Sequence, residues 1–540
     1  MPWPSSTRMH WPGFSRGTAT GSVEGLATRP ADARRLALAF VALVAVAAFP
    51  LLLMQYPDLE DYLHHLSRMA ILSRDASGPL ARFYTIDWRL LPNLAMDLIV
   101  PPLTGLLPVQ DAGRLFVGLS ILSMTSGTIA LHAALHRRLS WWPLVVFLVI
   151  WNRIFLYGVF NYLFTLGLTL WALAAWIHWH ERPAWLRVPV FAAIAFTLFV
   201  FHLYAFGIYA LSVLGYELAR TDWASRDRTR LVGSWLVAGS QFVLPAALFL
   251  AQSPTSGLAG AFFYPTDLVH HKLRGFHHLF LNYHVWFDRL TFVVVAGAFL
   301  LGLVTRRIVI HPDVRWALVL LLVAYLLMPE TFFGTGLADY RLPVGFTYIL
   351  IAGTEPRPGG LPHPKLLAAA LLALFLVRIG LVAERWLSFG AIDRSFEEAI
   401  SPLPDGSTMV TIATRMPDYH HEYHNPHLFY LSALAIIEKS FFDPSFAIFA
   451  DPGKQPVQLK PRYQHLVDEL DERLATLTDT RRWAHTPPAD LLLAPGDDGR
   501  PLLQNFDYAL VLYADDGANP APAHLQLIAT NPHFQLYKVK

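Results

Sequence analysis

The sequence predicts an α-helical polytopic membrane protein with about eleven transmembrane helices, carrying a C-terminal soluble α/β domain. Three observations predict it. Of 540 residues, 54% are hydrophobic and 15% charged, against roughly a quarter charged in soluble domains. The apolar residues fall in blocks of about 15–25 separated by short charged loops, the pattern of helices that cross a bilayer. Beyond residue 390 the pattern stops, and prolines, charges and turn residues become frequent. The net charge of +2 leaves no nucleic-acid footprint. With no cysteine, a disulfide scaffold, a thiolate zinc site and a cysteine nucleophile are excluded.

Residues 1–33 are polar and rich in Gly, Ser, Thr, Pro and Trp, which reads as a disordered cytoplasmic tail. The membrane part takes 34–390. Arg34 and Arg35 precede the 19-residue apolar run 36–54. It is longer than a signal-peptide h-region and lacks a following cleavage site, so it reads as a retained anchor. The segment 55–112 then lies outside, with the apolar but Pro- and Asp97-containing stretch 88–108 in the interface. Further spans are expected near 113–135, 142–157, 160–179, 187–218 (split in two at His202), 231–251, 291–304, 316–333, 343–353 and 366–383. Under this count the basic loops, such as Arg137-Arg138, Arg220 to Arg230 and Arg306-Arg307, all fall on one side. That satisfies the positive-inside rule and puts the last part, 391–540, in the periplasm of a bacterial inner membrane. In that part 409–413, 446–450, 508–513 and 526–529 read as strands, and 428–439 and 463–477 as helices.

The first outside loop holds the densest chemistry: Asp58, Glu60, Asp61, His64, His65 and Arg68. At about 100° per residue, Leu59, Tyr62, Leu63, Leu66, Met69 and Ala70 share one helix face, and Asp61, His64, His65 and Arg68 the other. One reading is an interfacial amphipathic helix with a solvated polar face, Asp58 as its N-cap and an ordinary Asp61–His65 pair. The other is a catalytic carboxylate at the membrane edge, oriented by His65, with Arg68 set to meet a phosphate.

The pattern Asp61-Tyr62-Leu63-His64-His65-Leu66-Ser67-Arg68, after a first helix and before many short ones, resembles the GT-C superfamily of integral-membrane glycosyltransferases. The likeness is closest to the protein mannosyltransferase-like and lipid-linked-sugar transferases, and to uncharacterised bacterial membrane proteins of the same architecture. The resemblance implies a polyprenyl-phosphate sugar donor, an envelope glycan, lipid or protein acceptor, and a catalytic acid in this loop. Asp61 fits best, with Asp58 and Glu60 as rivals. It also implies a cation for the leaving lipid phosphate: Arg341, in Asp339-Tyr340-Arg341, or Arg68. A local Asp339–Arg341 pair is the plainer alternative.

Arg153, Asn161 and His202 lie in apolar runs. A charge at mid-bilayer costs roughly 2.5–3.5 kcal/mol, so each is expected to face protein. His202 reads first as a satisfied core histidine and second as lining the substrate site. Histidines also gather at 270, 271, 277, 278, 284, 420, 421, 424 and 427. A divalent metal is the one cofactor considered, with Asp61, His65, His421 and His424 as candidate ligands. The rival functions are a transporter or flippase of a lipid-linked or envelope component, and a non-catalytic envelope assembly protein.

Overall fold

The computed structural model describes residues 30–74, 77–224, 227–258, 262–414, 427–477, 486–513 and 517–540. The chain opens with α1 (Pro30–Ala48), α2 (Tyr62–Ser73), α3 (Ala95–Leu103), α4 (Val109–His136), the single turn α5 (Arg153–Leu156) and α6 (Phe160–His178). It continues with α7 (Ala184–Phe201), α8 (Leu203–Arg220), α9 (Arg228–Gln252), α10 (Leu268–His277) and α11 (Val285–Val304). Then come α12 (Arg315–Leu327), α13 (Arg341–Ala352) and the 37-residue α14 (Pro364–Ile400).

Seven helices among the described residues are long and apolar enough to cross a membrane: 32–52, α4, α6, α7, 231–252, α11 and α14. They sort by burial. Most of α4 and α6 is buried (61% and 78% of their apolar windows), whereas 17% of α9 and of α11 is, so α4 and α6 form the centre and α9 and α11 the lipid-facing rim. Glycine lets the centre close. A Cβ on Gly167 would overlap the Ser123 and Met124 backbone of α4.

The other expected spans are broken, short or charged. The stretch 142–157 is not one helix but a 3-10 segment, Trp142–Val149, and α5. Pro143 starts the first, and Asn152 ends it by turning extended and accepting from Phe155 N at 3.0 Å as the cap of α5. Next, α12 and α13 have 13 and 12 residues, and α8 carries Glu217 and Arg220. Such pieces are stable at membrane depth where protein covers their ends. The break at 202 is as expected: His202 is extended (φ −167°, ψ 122°), and its Nδ1 accepts from Tyr204 N to cap α8. The stretch 88–108 holds only α3, nine residues with Pro101 and Pro102 inside, too short to cross.

Past α14 the chain forms α15 (Ala433–Lys439), α16 (Pro461–Leu474), α17 (Ala489–Leu493) and a four-stranded sheet. In chain order the strands of the whole protein are β1 (Tyr84–Ile86), β2 (Phe262–Phe263), β3 (Ile308–Ile310), β4 (Thr331–Phe332) and β5 (Thr354–Pro356). They continue as β6 (Met409–Ala413), β7 (Val457–Leu459), β8 (Tyr508–Leu512), β9 (Leu525–Thr530) and β10 (Phe534–Val539). The sheet runs β6-β8-β10-β9, with β6 parallel to β8 and the rest antiparallel. Both β6 and β8 are wholly buried, which is why they read as nearly continuous apolar runs, Thr411 excepted. The expected strand 446–450 is instead a 3-10 segment, Pro444–Phe449, because Pro444 opens it and Asp443 caps it by accepting from Ser445 N. The expected helix 428–439 is split into a 3-10 turn, His427–Tyr430, and α15.

Two features tie this last part to the bundle. There is no break at 391, since α14 runs through to Ile400. And β1, from the loop after α2, pairs with β7. The loop holding the acidic motif is thereby folded in with the C-terminal sheet part.

Candidate active site

The cap of α2 is Asp61, not Asp58, and the Asp61 side chain makes no capping bond (φ −87°, ψ 1°). All ten residues 62–71 are buried, so α2 is not an interfacial helix with a solvated polar face. One side meets α4, where Tyr62 and Leu66 fill the space over Gly113. The side expected to face water is covered by α15 and the Pro444–Phe449 turn. The polar side chains of α2 are therefore packed against protein.

Arg68 binds Asp97 bidentately, Nε to Oδ1 at 2.7 Å and Nη2 to Oδ2 at 3.0 Å, with both side chains fully buried. This α2–α3 tie holds the guanidinium that the sequence offered to a phosphate. His64 Nε2 lies 3.2 Å from Ser445 Oγ. His65 does not pair with Asp61. Its ring packs edge-on to Phe160 and Phe449, and Nδ1 is buried with no hydrogen-bond partner among the described residues. Burial, then the charges of Arg68 and His64, hold its pKa well below the usual histidine value, so it stays neutral.

The three loop acids differ in surroundings. Asp58 is buried, and its carbonyl accepts from Tyr283 Oη at 2.9 Å. Glu60 pairs with Arg153 at 3.3 Å, and Arg153 in turn lies over the Tyr157 ring. Burial pushes the Glu60 carboxyl up to about 8, with Arg153 pulling the other way. Asp61 is half-buried. Burial raises its carboxyl to about 7, against a hydrogen bond from Tyr430 and the positive charges of Arg341 and Arg68. Its backbone is fixed from both sides: Asp61 N donates to Tyr157 O at 3.1 Å, and Asp61 O accepts from His65 N at 3.0 Å.

Gly158 makes this approach feasible. It sits at φ +83°, and a Cβ there would lie 3.2 Å from Asp61 N and 3.3 Å from Asp61 Cβ. Gly158→Ala is expected to cost roughly 1–2 kcal/mol from the left-handed backbone alone. It is also expected to move Asp61, which a lower melting temperature in detergent together with reduced activity would register.

Arg341 begins α13, and Asp61 and Arg341 lie within electrostatic reach of each other. The local Asp339–Arg341 pair does not form. Asp339 is fully buried and accepts from Lys272 Nζ at 2.6 Å and His271 Nε2 at 2.9 Å, both on α10. Tyr340 stacks on His271. Arg341 instead donates Nη1 to Gly336 O at 3.0 Å and lies 5.0 Å over the Tyr204 ring. Its Nε is buried without a hydrogen-bond partner among the described residues. His202 sits beside this group against Tyr162, occupied as the α8 cap. Asn161 accepts from Met96 N at 2.7 Å, at the start of α3.

Tyr430, Lys272 and the role of Asp97 were missed from sequence. Asp97, a charge inside an apolar run with an arginine left to pair, carried a readable signal. Tyr430 carried none. His421 and His424 lie outside the described residues. Among the described residues the one trio of metal-type side chains is His465, Glu469 and Asp497, mostly solvent-facing and at α16; Asp61 and His65 belong to no such group.

No protein-family model matches the chain, and no curated protein matches it in sequence. Two crystal structures of ArnT from Cupriavidus metallidurans do match in fold, one bound to undecaprenyl phosphate and one in the apo state. Each aligns over 94% of this chain and 98% of its own, with a TM-score of 0.50 at 13% sequence identity. At that identity the likeness is one of fold. The chain has the GT-C fold: a helical membrane part with seven candidate spans, followed by a strand-containing C-terminal part.

Proposed function

We propose that this protein is a membrane glycosyltransferase of the bacterial inner membrane. It moves a sugar from a polyprenyl-phosphate donor to a cell-envelope acceptor at the periplasmic face, with residues 391–540 on that side. The observation that supports the reading is that Asp61 and Arg341, distant in sequence, are both covered by protein and lie within electrostatic reach of each other. The ArnT crystallised with undecaprenyl phosphate supports a lipid-linked donor.

Asp61 is the base. Of the three loop acids, Glu60 is held by Arg153 and Asp58 is sealed in, whereas Asp61 is half-buried and free of a capping bond. Its carboxylate takes the proton of the acceptor hydroxyl as that oxygen attacks the anomeric carbon. The bond from that carbon to the phosphate oxygen breaks, and the electron pair leaves on the lipid phosphate. Arg341 meets the new charge where burial makes the interaction strong. A lone base with no second carboxylate nucleophile suits inversion at the anomeric carbon.

Arg341→Gln is expected to lower transfer by at least about 100-fold, and Arg341→Lys by less, because lysine keeps the charge and loses the planar fork. The assay is transfer of labelled sugar from polyprenyl phosphate to an envelope extract by the purified protein. Equal rates in wild type and Arg341→Gln would remove Arg341 from the mechanism. Flux of the lipid-linked sugar across liposomes, without transfer from any donor, would replace this function with a transporter.

A further inference from the structure

We propose that Lys454, from the C-terminal part of the chain, is a positioning residue for Arg341: it latches the strained turn 332–337, and that turn sets where the Arg341 guanidinium points. The proposal rests on the reading of Arg341 as the cation for the leaving phosphate. It gives the C-terminal part a share in the site.

Two contacts of the Arg341 guanidinium lead to this turn. Nη1 donates to Gly336 O at 3.0 Å. The guanidinium also lies over the Tyr204 ring, and Tyr204 Oη donates to Phe332 O at 2.7 Å. The turn is a two-residue hairpin: Phe332 N donates to Thr335 O at 3.0 Å, and Thr335 N to Phe332 O at 3.1 Å. Its corner residues, Phe333 and Gly334, both have positive φ (52° and 64°), and so does Leu337 just beyond (53°). Glycine adopts this conformation freely, whereas phenylalanine and leucine are strained in it. Such backbone persists only where its surroundings hold it.

The tip of the turn is held from two other elements. The Phe333 ring packs edge-on to Phe249 of α9, with centroids 5.4 Å apart. Lys454 Nζ donates to Gly334 O at 2.7 Å. A tight turn presents that lysine: Lys454 N and Gln455 N both donate to Asp451 O, at 3.0 and 2.8 Å, and Asp451 Oδ1 accepts from Gly453 N at 2.8 Å. Thr255 Oγ1 donates to Gly453 O at 3.0 Å and so docks the lysine's turn on the segment after α9. A bond from an ammonium is stronger than one between neutral groups. Without it the hairpin tip can relax, and Gly336 O and the Tyr204 ring shift with it. A lysine that only tied the C-terminal part to the bundle would act on stability and leave the Arg341 side chain as it is.

The test is Lys454→Met in the full-length protein, read in two ways. One is steady-state sugar transfer. The other is the rate at which phenylglyoxal labels Arg341, followed by mass spectrometry, which needs no turnover. The kcat is expected to fall about tenfold, less than the roughly 100-fold that a full ångström of misplacement can cost. The KM for the donor should change less than kcat, because the new charge on the phosphate appears in the transition state. Labelling of Arg341 should quicken severalfold. Lys454→Arg should restore both readouts, since a guanidinium can donate to the same carbonyl. Thr255→Val, which frees the turn bearing Lys454, should move both the same way by less, and serves if Lys454→Met does not fold. Wild-type kcat and labelling rate in both variants overturn the proposal. So does a loss of transfer that Lys454→Arg does not restore, or an effect confined to melting temperature. Quickened labelling in a protein that transfers no sugar from any donor upholds the Lys454 latch and refutes the transferase reading instead.

Discussion

Asp61→Asn is expected to abolish nearly all sugar transfer, by about 10²–10⁴-fold, while the protein folds as before. The amide keeps the shape, but it cannot take a proton from the acceptor. The wild-type pH profile should point to the same group. Burial places the Asp61 carboxyl at about 7, and the base must be ionised, so kcat/KM should be flat above pH 7 and fall about tenfold per unit below it. Stability should move the other way. A carboxyl whose folded pKa is raised above its unfolded value of about 3.9 disfavours folding wherever both forms are ionised, here above pH 7. Below about pH 4 both forms are protonated and the penalty is gone. Asn carries no such penalty. Asp61→Asn should therefore melt no lower than wild type at pH 8, with the gap narrowing as the pH falls through 7 toward 4. A variant that is inactive because it is unfolded would melt lower, and one that retains full transfer would pass the role of base to Glu60 or Asp58.

What could be read from sequence follows from what is local. An apolar stretch of span length declares itself whatever surrounds it, so α4, α6, the α7–α8 pair split at His202, α9, α11 and the start of α14 were legible. The run 142–157 has the same composition, but Pro143 and the capping side chain of Asn152 break it, and a hydropathy pattern does not weigh a single cap. The acidic loop stood out as a candidate because its residue types are costly to place beside a membrane. Its packing was not. Two sides of α2 were distinguished correctly, yet the polar side is covered by residues 433–449, far along the chain, and no period within 57–70 encodes that. For the same reason His65 read as a partner of Asp61 although its ring lies between phenylalanines, and Tyr430 went unnoticed.

Arg68→Ala is the substitution expected to harm the fold most. Arg68 and Asp97 are both fully buried and share two hydrogen bonds, joining the middle of α2 to the first turn of α3, where the helix dipole also favours the carboxylate. Removing the arginine leaves the Asp97 carboxylate buried without its partner, a cost of roughly 3–5 kcal/mol. Asp97→Asn should cost less, since the amide keeps one acceptor for the guanidinium but loses the charge. Replacing both residues by apolar ones of similar volume, Arg68→Met with Asp97→Leu, should recover most of the loss, because no buried charge then remains unpaired. This series also decides between the two roles that Arg68 can hold. If it is a structural tie, melting temperature in detergent tracks the pairing and the double variant transfers sugar at close to the wild-type rate at pH 9, where Asp61 is ionised even without the Arg68 charge. If Arg68 also meets the lipid phosphate, the double variant folds but binds the polyprenyl-phosphate donor poorly, raising KM for the donor more than it lowers kcat. The closed, two-bond geometry on Asp97 favours the first outcome, and leaves Arg341 as the cation proposed for the leaving phosphate.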